Sequence, residues 1–216
     1  YLLDSEFRAY MKYLCGLIIV VLVYLARTDQ YGTVREIFAK GLFQVVSIAT
    51  TTGFTTDNFS LWPGALPVLL ILASFVGGCA GSTAGGIKVI RWVLMYKQGM
   101  REVLRLVHPS AEVPVKLGEK AVHSRVVDAV GGFFAVYVVV FGLLFVVFLG
   151  NGMDQETAFS AVAATLNNLG PGLGDVASGF TEMNAMVKWS AVCAMLLGRL
   201  EIFTLLVLVT PTFWRR

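Results

Sequence analysis

This sequence is short of charge. Only 14% of its 216 residues are Asp, Glu, Lys or Arg, against about 25% in an ordinary soluble domain. Hydrophobic residues make up 56%, and the mean hydropathy is +0.74. That deficit excludes a water-soluble globule and places the chain in a lipid bilayer. The net charge of +3 comes without a basic stripe interleaved with aromatics, which excludes a nucleic-acid surface. Cysteine is scarce too: Cys15, Cys79 and Cys193 are odd in number and lie in apolar or Gly-rich stretches. A disulfide framework and a thiolate metal site are therefore excluded, and the three read as small packing residues. The two histidines, His108 and His123, have no carboxylate or cysteine at ligand spacing, which removes metal and catalytic roles. No nucleophile, acid pair or phosphate-binding Gly loop is visible, so neither an enzyme site nor an organic cofactor is expected. There is no signal-peptide pattern, and residue 1 is Tyr1; the expectation is the later part of a longer polypeptide.

What the chain has is apolar helix. Residues 10–26 are almost wholly apolar between Arg8, Lys12 and Arg27, near the lower limit for crossing a bilayer at roughly 1.5 Å per residue. Residues 33–48 carry Arg35, Glu36, Lys40 and Gln44. That amphipathic pattern fits a half-length helix descending towards a loop. Trp62 and Pro63 read as an interface anchor and a helix start, followed by the apolar run 66–76. Helix is expected again from Ile87 through Arg91, Lys97, Arg101 and Arg105. A polar connector follows, in which residues 113–117 could form a short strand. Residues 126–149 form a second long span, 154–166 a second short helix with acidic residues in its first turn, and 187–209 a last span interrupted at Gly198-Arg199-Leu200-Glu201.

Each short helix runs into a small-polar, Gly-centred loop: Ala49-Thr50-Thr51-Thr52-Gly53-Phe54-Thr55-Thr56 and Leu166-Asn167-Asn168-Leu169-Gly170-Pro171-Gly172. Irregular backbone at membrane depth is tolerated only where it lines water or is buried in protein, and its carbonyls can then serve as ion ligands. Setting Gly53 on Gly170 also places the Gly-rich break around Gly81 on Gly198, so the halves are repeats of one another. Each unit contains a crossing, a re-entrant hairpin and a return crossing. Successive units therefore keep one orientation, which disfavours an inverted-repeat transporter. Lys and Arg dominate the segment from Lys88 to Arg125 and put it in the cytoplasm. The loops then open outward, where Asp29, Asp57, Asp154, Glu156, Asp175 and Glu182 would raise the local cation concentration.

The stretches ATTTGFTTDNFSLWP, GGCAGSTAGGIKVIR, LVHPSAEVPVKLG, TLNNLGPGLG and GRLEIFTLLVLVTPTFWRR together resemble the TrkH/KtrB superfamily of potassium transport proteins, in its TrkH branch, over nearly the whole chain from Gln44 onward. The resemblance implies an all-α integral membrane fold of four pseudo-repeats around a potassium-channel-like pore, of which this chain carries the last two. Residues 1–106 would be the third repeat, 107–123 a cytoplasmic connector and 124–216 the fourth. By the same resemblance Thr51, Thr52, Gly53, Phe54 and Thr55, with Asn168, Leu169, Gly170, Pro171 and Gly172, take the place of selectivity-filter strands holding K+. Glycine suits such strands because it permits backbone angles that β-branched residues resist. Departure from four identical TVGYG strands implies less symmetric coordination.

The segment Gly77, Gly78, Cys79, Ala80, Gly81, Ser82, Thr83, Ala84, Gly85, Gly86 resembles the family's intramembrane gating loop. It is expected to move because helix hydrogen bonds do not lock it; a static kink that lets helices pack is the alternative. Lys88 reads either as a snorkelling interface residue or as part of the gate. Arg199 is costly inside an apolar span and needs a partner; Glu201 points to a different helix face. The repeat alignment aims Arg199 under Gly170, opposing the loop, and a buried structural ion pair is the other reading. The resemblance further implies a cytoplasmic nucleotide-binding ring of the TrkA kind on the basic connector, the N-terminal half of the same polypeptide, a homodimer, and a multi-pass location in the bacterial inner membrane. Two rivals stand beside potassium uptake: a non-conducting membrane scaffold, and a cation-coupled potassium symporter, for which the spans offer almost no titratable residue.

Overall fold

A computed structural model describes residues 4–28, 30–109, 113–118, 120–200 and 202–214. Asp29, Glu112, Glu119, Glu201, Arg215 and Arg216 lie outside the described residues, so the expectations placed on them are not taken further. The architecture is helical: α1 Ser5–Arg27, α2 Val34–Ala49, α3 Leu66–Ala73, α4 Val89–Val107, α5 Ser124–Gly150, α6 Gln155–Leu166, α7 Ala185–Arg199, α8 Ile202–Val209 and α9 Pro211–Trp214. Between α4 and α5 a hairpin pairs β1 Lys116–Leu117 antiparallel with β2 Lys120–Ala121, shorter than the expected strand over 113–117.

Helix starts follow local chemistry. Asp4, Thr33, Asp154 and Asn184 each accept a first-turn amide at the head of α1, α2, α6 and α7, contributing about 1 kcal/mol apiece. Only α1 and α5 among the described residues are long and apolar enough to cross a membrane, and just 22% and 17% of their apolar windows are buried. A soluble core helix of that hydropathy would be covered. At 1.5 Å per residue α5 is about 40 Å long, enough for a hydrocarbon layer of about 30 Å.

Leu14, Leu17, Val21 and Leu25 form one stripe of α1, and they pack on Val45, Ile48 and Ala49 of α2, on Leu70 and Ile71 of α3, and on Leu169 of the second loop. In the second half, Ala158 and Ala161 let α6 approach Phe148 of α5 and Val187 and Ala191 of α7 closely. Phe75 joins the halves, with its ring 6.1 Å from that of Tyr137 and 5.6 Å from that of Phe141.

Several expectations are corrected here. Trp62 is not an interface anchor: it is 4% exposed and its indole N–H donates to Tyr31 Oη at 2.8 Å, while the helix start lies further on, at Leu66 with Pro67 in its first turn. The run 66–76 is not all helix, because α3 stops at Ala73 and Val76 instead bridges to Ile87. Helix resumes at Val89 rather than Ile87. In the last span Gly198 and Arg199 stay helical and the break falls after them. Cys15 and Cys193 are exposed rather than packed, since they sit on faces of α1 and α7 that no element among the described residues covers.

Candidate functional site

The two Gly-centred loops share one backbone trace. Thr51 and Asn168 both take a left-handed conformation, with φ of 54° and 53°, and two residues on Gly53 and Gly170 have φ of 81° and 103°. Thr52 and Gly53 donate their N–H groups to Ser47 O at 2.8 and 3.4 Å, and Leu169 and Gly170 donate theirs to Ala164 O at the same two distances. Among the described residues all peptide bonds are trans, and in a trans peptide the carbonyl of residue i−1 points opposite to the N–H of residue i. The carbonyls of Thr51, Thr52, Asn168 and Leu169 therefore face away from their own short helices. Among the described residues, no hydrogen bond ends on any of these four.

The short helices α2 and α6 end at Ala49 and Leu166, immediately before the loops. Their C-terminal dipole ends, each equivalent to about half a negative charge, add to the field of the carbonyl oxygens. Such an arrangement attracts a cation and offers it oxygen ligands without a charged side chain. The loops abut: a Cβ on Gly53 would run into Leu169 O. Leu169 is buried, Pro171 half-buried and Phe54 71% exposed. Phe54 O accepts from Ser47 Oγ at 2.6 Å, so it is engaged by α2, unlike the carbonyls before it. Thr52 Oγ1 and Thr50 Oγ1 lie 2.8 Å apart.

Beside the first loop stands a buttress that sequence reasoning missed. Asp57 accepts from Tyr31 Oη at 2.5 Å and from Lys40 Nζ at 3.1 Å, and its carbonyl accepts from Gln44 Nε2 at 2.5 Å. The Tyr31 hydrogen bond, helped by Lys40, holds the Asp57 carboxyl below its ordinary range. Burial, together with that bond, pushes the Tyr31 hydroxyl up to about 12. Asp57 was expected to add negative charge to the outer mouth; that is corrected, because Lys40 offsets it. A cavity of about 480 Å³ lies here between Thr55, Thr56, Asp57 and Gly174, Ala177, Ser178.

On the other side of the loops, the Gly-rich segment is tied rather than free. Its legs are zipped: Gly77 N donates to Ile87 O and Ile87 N to Phe75 O, both at 2.9 Å. Helix hydrogen bonds do not lock the segment 77–86, as expected, but bridge-type bonds close its neck. Gly77 is needed there, since a Cβ would meet Gly85 O. Beyond the neck, Gly85 N donates to Thr51 Oγ1 at 2.7 Å, and a Cβ on Gly85 would strike Asn167 O. The segment therefore touches the start of both loops. Gly78 is buried with Gly77, whereas Gly81, Ser82 and Thr83 are exposed in this chain.

Arg199 Nη1 donates to Thr83 O at 2.6 Å, which gives the arginine its partner. Gly198 lets α7 come this close, as a Cβ there would meet Leu166 O. Lys88 does not snorkel: Nζ donates to Ser82 O at 2.8 Å and to Ala84 O at 2.6 Å, because the zipped neck turns it back over the segment. Lys88, Arg91 and Arg199 line a cavity of about 250 Å³ with Thr83, Phe133 and Tyr137.

Asn167, also missed, is fully buried. Its Oδ1 accepts from Tyr137 Oη at 2.6 Å and its Nδ2 donates to Ser74 Oγ at 2.9 Å, tying the second loop to the end of α3. Tyr137→Phe leaves that buried acceptor unpaired, so we expect a loss of about 1–3 kcal/mol, read as a lower unfolding midpoint in detergent. An unchanged midpoint would show the bond to be dispensable.

The model of the TrkH family, described as a cation transport protein, matches residues 11–216. The Trk system potassium uptake protein TrkH of Halomonas elongata is 54% identical over 216 residues, covering 100% of this chain and 45% of its own length. TrkH of Escherichia coli K12 is 51% identical over 212 residues, covering 98% and 44%. Among solved structures, the crystal structure of the potassium transporter TrkH from Vibrio parahaemolyticus matches with a TM-score of 0.93 and 54% identity, over 100% of this chain and 46% of that one. This chain spans about 45% of the length of the curated relatives it matches. With a matching family model over residues 11–216, these likenesses converge with the helical fold and the paired loops: the chain belongs to the TrkH family of cation transport proteins.

Proposed function

We propose that this chain forms half of a potassium uptake pathway. Residues 1–106 are its third repeat, 107–123 a cytoplasmic connector and 124–216 its fourth repeat, completed by an N-terminal half of the same polypeptide. K+ is the cargo. Carbonyls of Thr51, Thr52, Gly53 and of Asn168, Leu169, Gly170 coordinate it, with Phe54 and Pro171 closing the two strands. The observation that carries this reading is the shared trace of the loops, in which paired N–H groups bind the short helix and turn the carbonyls the other way. The segment Gly77, Gly78, Gly81, Ser82, Thr83, Gly85, Gly86 is the gate, and Arg199 is its catch.

The family is one of membrane transport proteins, and its relatives are named as parts of a Trk system. A cytoplasmic nucleotide-binding ring of the TrkA kind docks on the basic connector of a homodimer in the bacterial inner membrane. At the approach to that connector Lys97 Nζ of α4 donates to Lys116 O at 2.5 Å, fastening the hairpin to α4. Arg105 pairs with Glu102 at 3.3 Å on an exposed face.

The test is rubidium uptake by liposomes holding the complete polypeptide, with and without the ring. Uptake above that of empty liposomes, rising with the ring, is expected. Charge reversal at Arg105 and Lys116 weakens co-purification with the ring and leaves ion preference intact. Arg101 is unsuited to that arm because its side chain is only 14% exposed. Uptake no greater than in empty liposomes would sink the pathway reading.

A further inference from the structure

Glu6 sits in the first turn of α1, yet it is only 7% exposed. A carboxylate is buried at this depth only with hydrogen-bond partners, and its partners come from elsewhere in the fold. Oε1 accepts from Ala80 N, inside the Gly-rich segment, at 2.7 Å and from Ile90 N, in the first turn of α4, at 3.2 Å. First-turn amides lack an intrahelical acceptor, and Lys88 at the N-cap of α4 makes no side-chain cap bond. The acceptor for Ile90 N is thus supplied by another helix, while Val89 N donates to Gly78 O at 3.3 Å. A carboxylate at that point also meets the positive end of the α4 dipole, and hydrogen bonds to an ionised acceptor are the stronger kind. Asp4 accepts from Glu6 N at 2.8 Å, fixing the backbone from which the side chain reaches.

We propose that Glu6 is a positioning residue that couples α4 to the gating segment: one carboxylate oxygen holds Ala80 of the segment and the head of α4 together against α1. The inference rests on the pathway reading above and adds the route by which regulation arrives. The far end of α4 leads into the basic connector, so a displacement of α4 acts on the segment through this shared oxygen. The neck bonds to Ile87 stay shut, and movement is confined to residues 79–85.

Two substitutions in the complete polypeptide separate acceptor from charge. Glu6→Met keeps an unbranched side chain of similar volume without an acceptor; Glu6→Gln keeps a carbonyl oxygen in the same place. Basal rubidium uptake without the ring is expected to rise about tenfold in Glu6→Met, equivalent to about 1.4 kcal/mol in the open-to-closed ratio, and to lose most of its response to the ring. Glu6→Gln stays near the parent. Cys79, beside Ala80 and half-buried, serves as a reporter once every other cysteine is serine: thiol labelling accelerates in Glu6→Met alone. If Glu6→Met is not recovered folded, Glu6→Ala is read in the same way; failure of both to fold, with Glu6→Gln intact, overturns positioning in favour of a structural role. Parent-like uptake and labelling in Glu6→Met, or a Glu6→Gln as leaky as Glu6→Met, overturns the inference. A variant lacking residues 80–84 tells the two failures apart. If it leaks while Glu6→Met does not, only the role of Glu6 falls; if it too takes up no more than empty liposomes, the pathway reading falls.

Discussion

Gly53→Ser is expected to lower the preference of the complete pore for potassium over sodium by about tenfold, the change that about 1.4 kcal/mol of differential binding produces. Two effects add at this position. Its φ is 81°, a hand that costs an L-residue roughly 1–2 kcal/mol, and the new Cβ would run into Leu169 O of the neighbouring loop. That oxygen is itself one of the proposed ligands, so relieving the clash displaces a ligand in both strands. Gly170→Ser has only the first effect, because nothing among the described residues lies within 4 Å of its Cβ position, although its φ is 103°. A smaller shift is expected there. Reversal potentials under bi-ionic conditions measure both. Unchanged ratios in two well-folded variants would remove the filter assignment.

The second large effect concerns the gate. Removing residues 80–84 while keeping the neck bonds between Gly77 and Ile87 is expected to raise basal rubidium uptake well above the parent. Arg199→Ala should raise it by a smaller factor. The arginine contributes one hydrogen bond from a charged donor, to Thr83 O, worth about 1.5 kcal/mol at the lower end of such bonds, whereas the deletion also removes the anchors at Ala80 and at Ser82 and Ala84, which Glu6 and Lys88 hold. Folded variants of both kinds that conduct no faster than the parent would place the gate elsewhere.

Much of the fold was legible because its signals are local. Apolar length marked α1 and α5, an amphipathic pattern marked α2, an acidic first turn marked α6, and a glycine after each short helix marked the loops. The Gly-rich break and the need of Arg199 for a partner were legible in the same way, from composition and from insertion cost. What escaped depends on groups that meet only in three dimensions. Glu6 and Ala80 are 74 residues apart, Asn167 and Ser74 are 93 apart, and Thr83 and Arg199 are 116 apart. An acid at a helix start reads as a dipole partner, and an Asn in a Gly-centred loop reads as a turn; nothing nearby distinguishes either from a long-range tie. Asp57 and Trp62 were misjudged for a related reason. Residue type predicted a solvent-facing charge and an interface ring, but Tyr31 lies between them and takes a hydrogen bond from one and gives one to the other.

The contact between Gly53 and Leu169 O is one backbone against another, with no side chain intervening. The spacing of the two strands is therefore fixed by main-chain atoms, which every residue type supplies alike. Side chains that point away from the junction do not set this spacing, so a threonine-rich strand and an Asn-Leu strand can hold the same backbone trace. The glycine is the exception. It is the position at which a substitution would be felt by the partner strand as well as its own, so the two halves of the chain constrain each other there.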